Sequence, residues 1–504
     1  MTFRPELLAA LGVKISRLVT DSREIAPGDT FVAYPGGQVD GRNFIAQAIA
    51  QGANAVIWEA QHFSWNNAWQ VPNLAVSELR KHAGAIAHNV YSQPSQHLWM
   101  VGVTGTNGKT SCSHWLAQSF NALGRKAALI GTLGNGFPGA LQPTLNTTPD
   151  AIRVHSLLTE YLRQDVQAVA MEVSSHALEQ GRVNAVQFDV ALLTNLSRDH
   201  LDYHGDMSSY AAAKRRLFDW QQLKYAVLNL DDAFGSELAE QLQDAEVETI
   251  GYGLTDQALQ QAERLGMRMV FGGNLRMDAR GLTVQVHSSW GGGELRSALL
   301  GRFNAANMLG TLAALLVSGV TLQDALRELA KLQAVAGRMQ TLGGQGQPAV
   351  VVDYAHTPDA LEKVLDALRE VTLSAGGKLI CVFGCGGDRD RGKRPMMGKV
   401  AAQRADVCIV TSDNPRSENP RDIIAAILPG IESGAAETNG VYQVVEDRAQ
   451  AIAQAIQAAR ANDTVLLAGK GHEDYQEING VKMVFSDIVE AQRALSRWDK
   501  EVRA

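Results

Sequence analysis

An apolar run, Trp99-Met-Val-Gly-Val-Thr104, passes directly into Gly105-Thr-Asn-Gly108-Lys109-Thr110 and then into a segment of helical period, Ser111 to Leu123. Few folds accept that order. The apolar strand must be buried, the glycines let backbone amides approach an anion, and the helix turns its positive end toward the same place. The pattern requires an α/β sheet with a crevice at its strand ends, and it makes a phosphate the natural occupant. Lys109 would reach the outer phosphates, and the Thr110 hydroxyl would hold Mg²⁺. Val103 stands six residues before Lys109, so Gly105, Thr106, Asn107, Gly108, Lys109 and Thr110 form a variant of the strict phosphate loop.

The rest of the chain repeats the α/β theme. Strand-length apolar runs recur at Ala168–Val173, Val190–Thr194, Val350–Tyr354, Leu379–Gly384, Val407–Thr411 and Thr464–Ala468. Between them lie helical patterns such as Asn304–Ser318, Pro358–Leu368 and Arg448–Ala458, so the sheets are expected to be largely parallel. At roughly 100–200 residues per domain, 504 residues predict about three domains. The polar stretch Ser92-Gln-Pro-Ser-Gln96 and the glycine-rich stretch Thr341-Leu-Gly-Gly-Gln-Gly-Gln-Pro348 read as linkers, giving modules 1–92, 93–336 and 337–504. A net charge of -7 without a basic tail argues against nucleic acid. Four cysteines, Cys112, Cys381, Cys385 and Cys408, are too few and too scattered for a disulfide framework or a zinc site, so reduced buried thiols are expected. The N-terminus lacks a secretory pattern, and Ala305–Val320 is too short and too interrupted to span a bilayer, which together predict a cytoplasmic protein.

Two further places carry chemistry. Glu172 ends the run Ala168-Val-Ala-Met-Glu172, and a carboxylate at the C-terminal edge of a parallel strand suits Mg²⁺, whereas an isolated strand-end acid is ordinarily solvated. Leu196-Ser-Arg-Asp-His200-Leu-Asp202-Tyr-His204 gathers two histidines and two aspartates after another strand and is a candidate for a second metal. Lys214, in the helical Tyr210-Ala-Ala-Ala-Lys214, reads on its own as a solvated helix lysine.

Taken in order, these segments and Asn146-Thr147-Thr148, Glu172-Val-Ser-Ser-His176, Asn304 to Asn307, Gly337-Arg338, Asp353-Tyr-Ala-His-Thr-Pro358, Gly384-Cys-Gly-Gly-Asp-Arg389, Asp413-Asn414-Pro415-Arg416 and Gly469-Lys-Gly-His-Glu473 form a set. Over nearly its whole length the chain resembles the Mur ligases of bacterial cell-wall synthesis. Within them it is most similar to the branch that adds meso-diaminopimelate to UDP-N-acetylmuramoyl-L-alanyl-D-glutamate. The resemblance implies three α/β domains, with a central P-loop parallel-sheet ATPase domain and a Rossmann-like C-terminal domain. It implies a monomeric ligase using ATP and Mg²⁺, with no nucleic acid partner. Residue by residue, it implies that Gly105 to Thr110 bind phosphates. Thr110, Glu172, His200 and Lys214 serve the metals, and Lys214 becomes a carbamate. Asn304, Arg338 and Asp353 contact the nucleotide. Ser22 and Gln38 serve the uridine end of the substrate. Asn146, Thr147, Thr148, Ser174, Gln180 and Arg182 serve the muramyl peptide. Lys109, Lys214 and His200 are its catalytic candidates. Ser111, where many relatives carry threonine, and the Val39 region depart from the pattern.

The incoming amino acid falls to Arg389, Asp413, Asn414, Pro415, Arg416, Gly469 and Glu473. Meso-diaminopimelate has a second carboxylate where lysine has none, and a guanidinium pairs with that group while Glu473 accepts from the ammonium. Two rivals predict other behaviour. A folylpolyglutamate-synthase-like ligase would take a folate acceptor, and a P-loop ATPase without ligase activity would hydrolyse ATP with no acceptor and leave the Arg389, Arg416 and Glu473 set idle.

Overall fold

In a computed structural model, which describes residues 4–36, 39–278, 281–438 and 440–498, three separate sheets organise the chain. The first is parallel and four-stranded, in the order Leu18–Val19, Thr30–Ala33, Ala55–Glu59, Asn73–Val76. The second has eleven strands, and the third, with six, starts at Gln340–Gly343. Among the described residues no helix is long and apolar enough to cross a membrane. All four cysteines are free and buried, as expected.

Trp99–Thr104 sits in the interior of the eleven-stranded sheet, parallel to Val190–Leu193 on one side and Ala168–Glu172 on the other. Parallel strands need covering on both faces. One cover is the helix Lys109–Ala122, which packs against Arg302–Val317, a helix buried on almost every side. That burial explains why the Ala305–Val320 pattern is so apolar: it is a core helix, hydrophobic all round. The topology delivers Gly105, Glu172 and Thr194 to one edge of the sheet.

The central sheet is largely parallel, as expected, and is extended by antiparallel strands at both edges: Gly281–Ser288 and Gly291–Ser297 at one, Gly134–Phe137 and Ala140–Gln142 at the other. These strands are glycine-rich or half-exposed, so they carry no continuous apolar run. One expectation needs correction: the Thr341–Pro348 stretch is not simply a linker. Its first half belongs to an edge strand, Gln340–Gly343, antiparallel to Ala349–Asp353, and the chain reverses through Gly343 and Gly344 at φ of 69° and 78°.

In the third sheet, Ala349–Asp353, Thr464–Ala468, Leu379–Phe383 and Val407–Val410 run parallel as neighbours. Behind Ala468 lies an ion pair with no exposed surface on either side chain: Arg448 Nε and Nη2 donate to Asp487 at 2.7 and 2.6 Å. Nη2 also donates to the Ala468 carbonyl at 2.9 Å, which fixes the strand end leading into Gly469. Replacing only Arg448 leaves a buried carboxylate alone. Arg448→Met is expected to lower the stability of this domain by about 3–5 kcal/mol, read from denaturant unfolding curves.

Candidate active site

Only glycine fits at two points of the loop. Gly105 has φ 148°, and a Cβ there would overlap the Thr194 hydroxyl; Gly108 has φ 89°, and a Cβ would lie 2.6 Å from Asn307 Oδ1. Thr194 and Asn195 hold the loop from the next strand, through Thr194 Oγ1 to the Asn107 carbonyl at 2.5 Å and from the Asn107 amide to Asn195 Oδ1 at 3.0 Å. The loop opens into a cavity of about 620 Å³ lined by Thr106 to Thr110, Thr147, Glu172, His200, Asn304, Arg338 and Asp353. Residues far apart in the chain thus meet as anticipated. Arg338 reaches across from the C-terminal side, its Nη2 donating to Thr110 Oγ1 at 3.2 Å. Asn107 Nδ2 donates to Asp359 Oδ2 at 3.2 Å, and Arg198 Nε to Asp390 Oδ2 at 3.0 Å, so the central and C-terminal domains are in contact around the loop.

Glu172 has no exposed surface, and its strand lies in the sheet beside the one that carries the loop. Its Oε2 accepts from the hydroxyls of Thr110 and Thr132, each at 3.0 Å, and Oε1 accepts from the Thr132 amide at 2.8 Å. The hard oxygen donors Thr110 and Glu172 are therefore adjacent, at the mouth of a phosphate loop. Among the described residues no three His, Cys, Asp or Glu side chains gather into a metal-holding group. The protein oxygens suit a cation such as Mg²⁺ that keeps several waters and takes phosphate oxygens for the rest.

Lys214 is 1% exposed, which overturns its reading as a solvated lysine. Its Nζ donates to the Gly105 carbonyl at 2.8 Å, and Lys109 Nζ donates to the same oxygen at 2.8 Å and to the Thr106 carbonyl at 2.9 Å. Burial, reinforced by the neighbouring Lys109 charge, pushes Lys214 well below an ordinary lysine, toward a neutral amine. Burial lowers Lys109 too.

His200, at φ 55°, stacks edge-on to His176 with centroids 4.8 Å apart. Desolvation, aided by His176 and Lys109 and only partly opposed by the Asp199 charge, brings it down to about 3, so it is neutral at physiological pH. Asp199 lies between two imidazoles, 3.3 Å from His200 Nε2 and 3.6 Å from His356 Nε2.

The muramyl-peptide candidates adjoin this edge. Thr148 Oγ1 donates to the Glu172 carbonyl at 2.8 Å and accepts from the Ser174 amide at 3.1 Å. Arg182 Nη1 donates to the Thr148 carbonyl at 2.9 Å, and its Nε to Gln180 Oε1 at 3.0 Å. Asn146 is exposed and outside the cavity lining. Ser22 belongs to the first module, with Oγ 3.2 Å from Gln47 Oε1, and Gln38 lies outside the described residues.

The amino-acid candidates form a second cluster on the C-terminal sheet, none of them lining the nucleotide cavity. Arg416 has φ 51°, an uncommon conformation for a side-chain-bearing residue that only its surroundings can hold. Its amide donates to the Glu477 carbonyl at 3.0 Å, its carbonyl accepts from Asn479 at 2.7 Å, and Nη1 donates to the Gly387 carbonyl at 2.7 Å. A Cβ on Gly386 would lie 2.9 Å from Arg416 Nη1 and 3.8 Å from Arg389 Cγ, so both arginines flank one glycine. Asn414 Nδ2 donates to Glu473 Oε2 at 2.8 Å. Thr132 escaped the sequence reading. Asp199 was visible only within the Leu196–His204 cluster, Asn307 only as the end of the Asn304 to Asn307 string, and Lys470 only as part of the Gly469–Glu473 string.

Family models match three consecutive stretches: a Mur ligase family catalytic domain over residues 14–91, a Mur ligase middle domain over 103–315, and a Mur ligase glutamate ligase domain over 337–471. A curated relative from Chromobacterium violaceum, UDP-N-acetylmuramoyl-L-alanyl-D-glutamate–2,6-diaminopimelate ligase, is 52% identical over 98% of this chain and 97% of its own. The chain is a Mur ligase. A relative of the same name from Nitrosomonas europaea is 51% identical to this Mur ligase over 95% of its chain and 93% of the relative's. A solved structure of a protein of that name is similar with a TM-score of 0.64 at 36% identity, over 96% of this chain and 95% of that one.

Because burial outweighs the pull of Asp199 on the Lys214 amine, an apolar replacement of similar length removes a desolvation penalty. Lys214→Met is expected to leave the stability of this Mur ligase unchanged or raised by about 1 kcal/mol, measured by thermal unfolding without ligands. A loss of several kcal/mol would contradict the burial argument.

Proposed function

We propose that this Mur ligase joins an amine of meso-diaminopimelate to the γ-carboxylate of D-glutamate in UDP-N-acetylmuramoyl-L-alanyl-D-glutamate, consuming ATP and forming ADP and phosphate. One observation carries the reading: a glycine-loop phosphate cavity abuts a cluster holding both guanidinium and carboxylate groups, in a chain about half identical to ligases so named.

The loop amides, Lys109 and Thr110 orient the ATP phosphates, with Asn304, Arg338 and Asp353 around the rest of the nucleotide. Thr110 and Glu172 would hold Mg²⁺, which would offset the repulsion between the γ-phosphate and the attacking carboxylate. Thr147, Thr148, Ser174, Gln180 and Arg182 hold the peptide so that its carboxylate faces the terminal phosphorus, and the uridine end reaches Ser22 and the Gln38 region of the first module. Attack gives an acyl phosphate. The neutral amine of diaminopimelate, held by Arg389, Arg416 and Glu473, then displaces phosphate and forms the amide. Lys214, whose buried amine is held well below an ordinary lysine, would take up CO₂ and release a proton, leaving an anionic carbamate oxygen beside His200 that could serve a metal. This reading keeps the module boundaries at 92/93 and 336/337. The free thiols support a reducing, cytoplasmic setting.

Phosphate release, assayed with ATP and the nucleotide dipeptide, is expected to require diaminopimelate and to respond weakly to lysine. Arg416→Ala should lower kcat/KM for diaminopimelate roughly 30-fold or more, the scale of removing one partner from a buried charge pair. Equal stimulation by both amino acids, or release without any acceptor, would refute the assignment.

A further inference from the structure

Lys470 is fully buried, directly after Gly469 at the end of the strand Thr464–Ala468. Gly469 has φ 115°, and a Cβ there would lie 2.5 Å from Asp413 Oδ2, so the glycine lets this strand end press against the Asp413–Arg416 turn. The Lys470 ammonium is enclosed on the turn side. Its Nζ donates to Asn414 Oδ1 at 3.0 Å and to Glu473 Oε2 at 3.2 Å, and it lies 3.9 Å from Asp413 Oδ1. The Tyr475 ring completes the enclosure, 5.7 Å from Nζ.

These bonds settle the orientation of Asn414. Its Oδ1 accepts from both Lys470 Nζ and the Glu477 amide, the latter at 3.0 Å, so its NH₂ must face Glu473 Oε2, to which it donates at 2.8 Å. Glu473 Oε2 therefore has two donors. Glu473 Oε1 makes no hydrogen bond among the described residues, and the side chain retains 15% exposure. One carboxylate oxygen is held by protein and the other is left for a ligand donor.

We infer that Lys470 is the positioning residue of the amino-acid site: it holds Asn414 and one oxygen of Glu473 in place so that the other oxygen faces a ligand, and thereby sets selection for a substrate tip bearing an ammonium beside a carboxylate. The inference rests on the ligase reading above. Lys470 has no exposed surface, so it acts through Asn414 and Glu473 and not by contact with substrate. Without it, Asn414 Oδ1 and Glu473 Oε2 each lose a donor, and the carboxylate is free to turn. A turned Glu473 no longer presents its free oxygen to an ammonium.

The test measures steady-state constants of Lys470→Gln and Lys470→Arg in the full chain. K470Q is expected to raise KM for diaminopimelate about 10- to 100-fold at neutral pH, the size of one lost charge-assisted hydrogen bond. KM for ATP and for the nucleotide dipeptide should change by less than about twofold, and K470R should recover most of the loss. A packing defect would instead disturb all three KM values together and would not be rescued by K470R. An unchanged KM for diaminopimelate, or a parallel change in all three KM values, overturns the inference. If K470Q does not fold, K470R decides alone: a diaminopimelate KM within about threefold of wild type supports the role, and a larger selective loss refutes it. Should wild type itself ignore diaminopimelate, the ligase reading fails first, which separates the two outcomes.

Discussion

The Gly105 carbonyl oxygen accepts hydrogen bonds from two lysines, Lys109 and Lys214, both at 2.8 Å. Two cations at one buried oxygen repel without bulk water to screen them, and the nearby charges of Glu172 and Asp199 offset this only in part. The arrangement has two resolutions. One lysine gives up its proton, or a polyanion enters. The fold provides for both: Lys214, with 1% exposure, is driven toward the neutral amine, and Lys109 remains on the cavity side where phosphates would arrive. The eleven-stranded sheet, the glycines that admit Thr194 and Asn307, and the buried helix Arg302–Val317 all serve to keep this loop rigid while it is electrostatically unsatisfied.

The second cluster follows the opposite rule. Around Asp413, Asn414 and Glu473 the acids arrive first, and one buried lysine holds them in place. The left-handed Arg416 is kept in position by backbone bonds to the hairpin of Tyr475–Ile478 and Val481–Val484. Between the clusters, Arg338 lies over the Tyr354 ring at 4.4 Å, and Tyr354 packs against His472 at 5.3 Å, next to Glu473. The two sites thus share a wall, as a reaction that activates one substrate and then admits another requires.

Much of this was legible in the sequence because the chemistry is local. Gly105 to Thr110, Glu172 at a strand end and Arg416 in its turn are carried by short strings whose residue types have few other uses. What stayed hidden depends on distant pieces. The alanines before Lys214 say nothing of burial, which comes from a loop 109 residues earlier. Thr132 matters only because its strand lies beside the one ending in Glu172. The strand at Gln340–Gly343 was masked by glycines, and the antiparallel additions to the central sheet lack the apolar runs that mark buried parallel strands.

The ionisation state of Lys214 bears most directly on the account. With ¹³C-labelled lysine in CO₂-free buffer, the Lys214 Cε resonance, assigned by its loss in Lys214→Met, can be followed against pH. The account predicts a titration midpoint well below the ordinary lysine value of about 10.4. An ammonium shift that titrates only near that value would contradict it.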